Sequence, residues 1–200
     1  MKREYVIGIL IIILVAVIYL STSTKKIINK EEAEKFVSDD LRVNYPTADI
    51  REIISSEKSG DFWNVKARVT FDASSPCPRR IHVYYNDYPR FGFSQREENI
   101  TKGCTVCAGE MSCNIIYDEE AIIASHTFGG TEEVHTYATS YNAKASAKFY
   151  SNYKDTGGAN HADVWVVEWN ADSQPYGFTV IMGKSQTERN AIKVIKNYKS

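Results

Sequence analysis

The stretch Phe62–Phe71, FWNVKARVTF, decides the fold of this chain. Apolar residues occupy every second position from Val65 to Phe71, and polar residues fill the positions between them. This alternation with a period of two predicts a half-buried strand of an antiparallel sheet. One side of the strand should therefore face a hydrophobic core and the other should face water.

More strands are predicted on both sides of this stretch. Residues 50–56 form a first strand, and Ser59-Gly60-Asp61 makes the turn into the second. Residues 81–85 form a third strand after a loop rich in turn residues. Residues 86–112 have no clear periodicity and are interpreted as irregular, and residues 113–117 as a short strand.

A helix precedes these strands. Asn29 is a candidate cap, with Glu32 in the capping-box position. Apolar residues follow at helical spacing, and Pro46 ends the element. The residues that form this apolar face are Ala33, Phe36, Val37, Leu41 and Tyr45.

The second half of the chain repeats the order of helix followed by strands. Residues 118–125 predict a short helical segment, and Thr131 caps a helix that extends to about Tyr150. Residues 162–169 and 176–182 predict a hairpin. Residues 191–198 could form a helix or a strand, and the strand is favoured.

These elements predict an α+β fold: an N-terminal transmembrane helix followed by an antiparallel sheet with helices packed on one face. The predicted domains are an anchor at 1–24 and one α+β domain at 25–200. Two small helix-plus-sheet units, 29–117 and 118–200, would also fit the domain.

A helix followed by the hairpin VWVVEWNADSQPYGFTVIM resembles the small PepSY and cystatin-like extracytoplasmic modules. In such modules a helix lies on a curved antiparallel sheet. The resemblance covers at most residues 29–85 and 131–198. It implies a binding or inhibitory role, and it carries over no catalytic residue.

The N-terminal run Tyr5–Leu20, YVIGILIIILVAVIYL, contains no charge and no proline. Together with residues 21–24 it has about the 20 residues that a membrane-spanning helix needs. The sequence therefore predicts that residues 5–24 associate with the membrane as an uncleaved signal anchor. A signal peptide cleaved near Ser21-Thr22-Ser23 is the alternative.

Location outside the cytoplasm is predicted from residues beyond the anchor. The basic residues that flank the run are nearly balanced, so they do not set its orientation. The four cysteines and the tripeptide Asn99-Ile100-Thr101, a candidate glycosylation site at Asn99, favour an outward-facing domain. We therefore expect a single-pass protein of the cell membrane.

The four cysteines are Cys77, Cys104, Cys107 and Cys113. An even count in an extracytoplasmic domain favours two disulfides, with three connectivities open. A zinc or iron–sulfur site and a thiol–disulfide exchange site at Cys104 and Cys107 are the alternatives. Disulfides are the preferred interpretation, so no metal or cofactor is predicted.

Other functional signals are few. A net charge of −1 without basic blocks gives no indication of nucleic-acid binding. None of His82, His126, His135 and His161 stands at metal-ligand spacing from another, and no catalytic motif is present. An aromatic segment with one arginine is a candidate partner-binding surface. Its residues are Tyr84, Tyr85, Tyr88, Arg90, Phe91 and Phe93.

The predicted function follows from these features. We expect a membrane-anchored binding or structural module of the cell envelope, stapled by disulfides and without an evident catalytic site. Its partner would be a protein, a peptide or an envelope polymer. The alternative function is an extracytoplasmic thiol-redox or metal-binding protein that uses the four cysteines.

Overall fold

The computed structural model describes residues 28–90, 93–107 and 111–199. The first half forms one helix and a four-stranded antiparallel meander in the order β1-β2-β3-β4. Its elements are α1 (Lys30–Asn44), β1 (Ile50–Ser59), β2 (Phe62–Phe71), β3 (Arg79–Tyr88) and β4 (Ser94–Thr101). The predicted strand Phe62–Phe71 is confirmed with these bounds.

The second half forms two helices and a second four-stranded antiparallel sheet, in the order β10-β8-β7-β6. A short pair, β5 with β9, joins the chain before the first of these helices to the chain after β8. The elements are β5 (Cys113–Asn114), α2 (Asp118–Thr127), α3 (Glu132–Ser140), β6 (Lys144–Lys154), β7 (Asn160–Asn170), β8 (Tyr176–Gly183), β9 (Ser185–Gln186) and β10 (Lys193–Tyr198).

Helix α1 begins and packs as the sequence predicts. The Asn29 side chain accepts a hydrogen bond from the Glu32 amide, and the Glu32 carboxylate accepts one from the Asn29 amide. Ala33, Val37 and Leu41 are buried against the inner face of the first sheet. The helix ends at Asn44, before Pro46.

Helix α2 lies between the two sheets. Its residues Ala121, Ile123 and Ala124 belong to the core of the second sheet, beside Trp165 and Val167. Its first turn faces the other way, because Glu119 bonds to Arg68 of β2 and His82 of β3. Part of the side of the first sheet that does not face α1, around Arg68 and His82, is therefore covered by the first turn of α2.

The predicted fold class is wrong for the described part of the chain. These residues are mostly antiparallel sheet, with 49% in strands and 20% in helices. The strands form two four-stranded sheets, and α2 is shared between them instead of lying on one face of a single sheet. None of the three helices in this part is long and apolar enough to cross a membrane. The predicted anchor at residues 5–24 lies outside the described residues.

The predicted helix from Thr131 to about Tyr150 is also wrong beyond Ser140. Asn142 adopts a left-handed backbone conformation with φ 47°, which ends the helical path. The chain then forms β6, which pairs along β7. Ala145 and Ala147 pack towards the core with a period of two, and this pattern was hidden by the helical spacing of Tyr141, Ala145 and Phe149.

The predicted irregular region 86–112 contains a regular strand, β4, at its centre. This strand reads SQREENIT and is exposed along most of its length, because it forms one edge of the first sheet. An edge strand with water on most sides needs no apolar alternation. Its sequence therefore gives little indication of a strand.

The predicted disulfides are confirmed as Cys77–Cys104 and Cys107–Cys113. The first closes a loop of 27 residues that contains β3 and β4, and the second closes a loop of six. No described cysteine is free.

The two bridges should differ in their contribution to stability. Loss of the longer loop in C77S/C104S is expected to lower the free energy of unfolding by about 3.5 kcal/mol, against about 2 kcal/mol for C107S/C113S, because more chain entropy is released. Urea unfolding followed by tryptophan fluorescence measures both. Equal losses would contradict the chain-entropy account.

Candidate functional site

A cleft of about 580 Å³ lies between the two halves of the chain. One wall is the loop between β2 and β3, with Ser74, Ser75 and Pro76. The opposite wall is the end of α3 and the start of β6. Ile122 and Trp169 lie on its apolar side. The cleft has the volume typical of small-molecule sites, which is roughly 300–1,000 Å³.

The first wall is fixed by covalent and polar contacts. Cys77 is bridged to Cys104, and the neighbouring Pro78 carbonyl accepts a 2.7 Å hydrogen bond from the buried Thr101 hydroxyl. The Cys77 amide donates to the Ser75 hydroxyl oxygen at 3.1 Å. The loop is therefore tied to the first sheet at Cys77 and Pro78.

His126 of α2 supports this wall from behind. Its Nε2–H donates to the Pro76 carbonyl at 3.1 Å, and the same nitrogen lies 3.8 Å from Cys77 Sγ. Its Nδ1 lies 3.4 Å from Nδ1 of His135, which also contacts the His126 carbonyl. Burial lowers the pKa of His126 to about 4, so the ring is neutral at pH 7.

The second wall offers hydroxyl, amide and ammonium groups. Thr139 and Ser140 end α3, and Asn142 and Lys144 follow at the turn into β6. Trp169 is anchored by a 2.8 Å hydrogen bond from its Nε1 to the Ser125 hydroxyl, so its ring is fixed against α2.

The charge in the cleft is positive. Arg80 and Lys144 line it, and none of the described lining residues is an aspartate or glutamate. The Arg80 guanidinium is partly buried. Its Nη1 is fully buried and has no hydrogen-bond partner among the described residues. Burial lowers the pKa of Arg80. Arginines that are withdrawn from water are usually paired, so this arrangement is unusual.

A buried ionic network lies next to Arg80. Glu119 Oε1 accepts hydrogen bonds from Arg68 Nη1 at 2.8 Å and from His82 Nε2 at 2.9 Å. Burial alone would raise the pKa of Glu119, but its hydrogen bonds, led by that from His82, hold the pKa well below its usual range. Arg68 also binds the more exposed Glu52 at 2.8 Å. Glu119 therefore forms its hydrogen bonds with Arg68 and His82 and none with Arg80, while its Oε2 is buried without a hydrogen-bond partner among the described residues.

The cysteines predicted as site residues are all in disulfides, so their sulfur atoms are not available as four metal ligands. Among the described residues, no group of three or more His, Cys, Asp or Glu side chains could hold a metal ion. Cys77 lies in the wall of the cleft, flanked by two of its lining prolines. Cys104 is exposed.

The predicted partner-binding segment is largely packed inside the first half. Tyr85 is buried and donates to Asp40, while Tyr88 stacks on Phe36 at 4.2 Å. Phe93 meets Phe36 edge-on at 5.6 Å. Tyr84 donates to Glu98, Arg90 is exposed, and Phe91 lies outside the described residues. Partner binding by this segment stays a prediction.

Asn99 is exposed on β4, whereas Thr101 of the same tripeptide is buried through its bond to Pro78. Glycosylation of Asn99 stays a prediction.

The sequence interpretation missed Arg80 as a site residue, and it missed the network that joins Arg68, His82 and Glu119; His82 was considered there only as a metal ligand. Arg68 was assigned to the solvent side of β2, and Glu119 to a short helical segment with no partner. The one available signal was that α2 has no clear polar face, which is typical of a helix covered on several sides.

Comparison with known proteins gives no relative: no family model, curated protein or solved structure matches this chain. The resemblance to PepSY and cystatin-like modules therefore stays a prediction.

The network at Glu119 predicts that removing the buried carboxylate and removing the more exposed carboxylate of Glu52 have unequal effects on the free energy of unfolding. Glu119→Gln is expected to lower the free energy of unfolding by about 3 kcal/mol, because a buried charge partner is removed. Glu52→Gln removes a partner of the same Arg68 from an exposed position and should cost less than about 1 kcal/mol. Urea denaturation checks both variants, and equal effects would contradict the assigned role of burial.

Proposed function

We propose that this protein is a non-catalytic binding module of the cell envelope and that its ligand occupies the cleft between the two sheets. The observation that carries this proposal is a cleft of ligand size whose wall is fixed by a disulfide. Its occupant would be a small molecule, or a terminal group of a peptide or an envelope polymer.

Rigidity of the wall supports a binding role. A site that is already in its bound conformation avoids the entropy cost of ordering a loop when the ligand arrives. The loop between β2 and β3 is held at three successive residues, by the His126 bond to Pro76, the disulfide of Cys77 and the Thr101 bond to Pro78. Such support is expected for a preformed recognition surface.

The chemistry of the lining also favours binding over catalysis. A serine nucleophile needs a base within hydrogen-bond distance. The described lining residues contain serines but no histidine or carboxylate. The imidazole of His126, behind this wall, donates its Nε2 proton to the Pro76 carbonyl.

Location outside the cytoplasm is part of the same proposal. Two disulfides are stable in oxidising compartments and are rare in the cytosol. Association with the cell membrane through residues 5–24 would keep the module at the envelope.

Blocking the cleft tests the binding role. Spectra of the ¹⁵N-labelled protein, recorded with a panel of monosaccharides, amino acids and dicarboxylic acids, should show shifts that cluster on the cleft residues. Ser140→Trp places a large ring at the cleft and should abolish these shifts. Ser151→Trp, at an exposed site on β6 outside the cleft, should leave them unchanged. Shifts that are absent, or that survive Ser140→Trp, would contradict the proposal.

A second candidate function is thiol–disulfide exchange, which one observation favours. Cys104 is exposed, and Cys77 is buried beside His126. A thiolate of an external protein could attack Cys104 Sγ, forming a mixed disulfide and releasing Cys77 as a thiolate. A second thiol of that protein would then attack the mixed disulfide and release Cys104, so that the external protein is oxidised to a disulfide and the Cys77–Cys104 bridge is reduced.

A count of the free thiols in the protein as it is isolated, without added reductant, separates these two functions. After denaturation without reductant, iodoacetamide should modify no cysteine, because both bridges are structural. The same sample reduced first should show four modified cysteines. Modification of Cys77 and Cys104 alone would favour exchange, and modification of all four without reduction would contradict the proposed location.

A further inference from the structure

We infer that the ligand of the cleft carries an anionic group, a carboxylate or a phosphate, on a hydroxylated body, and that Arg80 binds this group. The inference rests on the proposed function, since it names the chemical class of ligand for the same cleft. It depends on the pairing of charges around Arg80 and on the polar groups of the two walls.

Arg80 is a cation that forms no ion pair among the described residues, although the charge of the nearby Glu119 acts on it. No carboxylate of the described residues lies within 4.0 Å of its guanidinium, and no described atom accepts a hydrogen bond from it. The adjacent Arg68 is different, because Glu52 and Glu119 both bind it. A guanidinium has five donors in a planar fork that fits two oxygens of a carboxylate or phosphate. Because Nη1 of Arg80 is fully buried, its Nε and Nη2 donors are the ones that a ligand in the cleft would meet.

The rest of the lining agrees with an anionic ligand. Lys144 adds a second cation on the opposite wall, and it too lacks an ion-pair partner among the described residues. No carboxylate belongs to the described lining, so the charges that line the cleft attract an anion, while the Glu119 carboxylate lies behind Arg80 in the ionic network. Two opposed cations in a partly desolvated cleft strengthen one another's effect on such a group.

The uncharged lining groups indicate a hydroxylated ligand body. Ser74 and Ser75 lie on one wall, and Thr139, Ser140 and Asn142 on the other. Hydroxyl and amide groups both donate and accept hydrogen bonds, which suits sugar-like hydroxyls. The volume of about 580 Å³ leaves room for more than the anionic group alone.

The decisive comparison uses three probes and two neighbouring arginines. D-glucuronate, D-glucose 6-phosphate and D-glucose are titrated into the full chain by calorimetry and NMR. We expect the two anions to bind at least tenfold more tightly than glucose. Arg80→Gln should weaken both anions by about 10- to 100-fold, the loss typical of a charge-assisted contact, and leave glucose unchanged.

Arg79→Gln is the matched control. Arg79 is the next residue on the same strand, is exposed, and lies over the Phe71 ring instead of lining the cleft. The Arg79→Gln variant removes the same charge from the protein as Arg80→Gln does, and it should change the affinities for the three probes less than twofold. Lys144→Gln should cause a smaller loss than Arg80→Gln, since the lysine is more exposed. Arg80→Lys keeps the positive charge but lacks the planar fork, so it should bind the two anions more tightly than Arg80→Gln and less tightly than the unaltered protein. This comparison keeps the test valid if Arg80→Gln disturbs folding.

The outcomes separate this inference from the proposed function. If glucose and glucuronate bind the cleft with equal affinity, and Arg80→Gln leaves both affinities unchanged, the ligand is not recognised by an anionic group. The binding role of the cleft would then remain. If none of the three probes shifts the cleft residues, and the panel of monosaccharides, amino acids and dicarboxylic acids shifts none either, both this inference and the proposed binding function are overturned. Inorganic phosphate binding as tightly as glucose 6-phosphate would overturn the hydroxylated body and retain the anion site.

Discussion

The carboxylate of Glu119 is the point on which the arrangement of the two sheets depends. Burying a charge is costly unless strong partners are present, so the first turn of α2 can pack only where Arg68 and His82 meet it. An apolar residue at this position would pack against many surfaces with similar energy. The ionic contact therefore selects one orientation of α2 on the first sheet, while Ile123 and Ala124 join the core of the second.

The cleft is a consequence of this shared helix. Because α2 separates the halves, the loop before β3 cannot close onto α3 and β6, and the space between them stays open beside Ile122. His126, one turn further along α2 than Ile122, then supports the wall through Pro76. Orientation of the sheets and rigidity of the cleft wall thus come from opposite ends of the same ten-residue helix.

Much of the local structure was predictable, because it is set by neighbouring residues. The capping box of α1, the alternation of β2 and the hairpin of β7 and β8 all appear in the letters of the sequence. The prediction failed at β6, where Ala145 and Phe149 fit a helix and a strand equally well until β7 provides a partner. The cleft was not predictable, because Arg80 and Lys144 are 64 positions apart and line one cleft only after the two halves have folded together.

The ring closed by Cys77 and Cys104 gives the module a mechanical limit. If the chain is held at one end and its ligand is pulled, force that enters the first half passes through the sulfur bridge instead of through β3 and β4. The bridge spans 4.9 Å between Cα atoms, whereas the 27-residue separation would reach about 90 Å when extended. Tension can therefore lengthen the chain elsewhere, including the loop of Ser74, Ser75 and Pro76 that precedes Cys77, while the hairpin of β3 and β4 keeps its length.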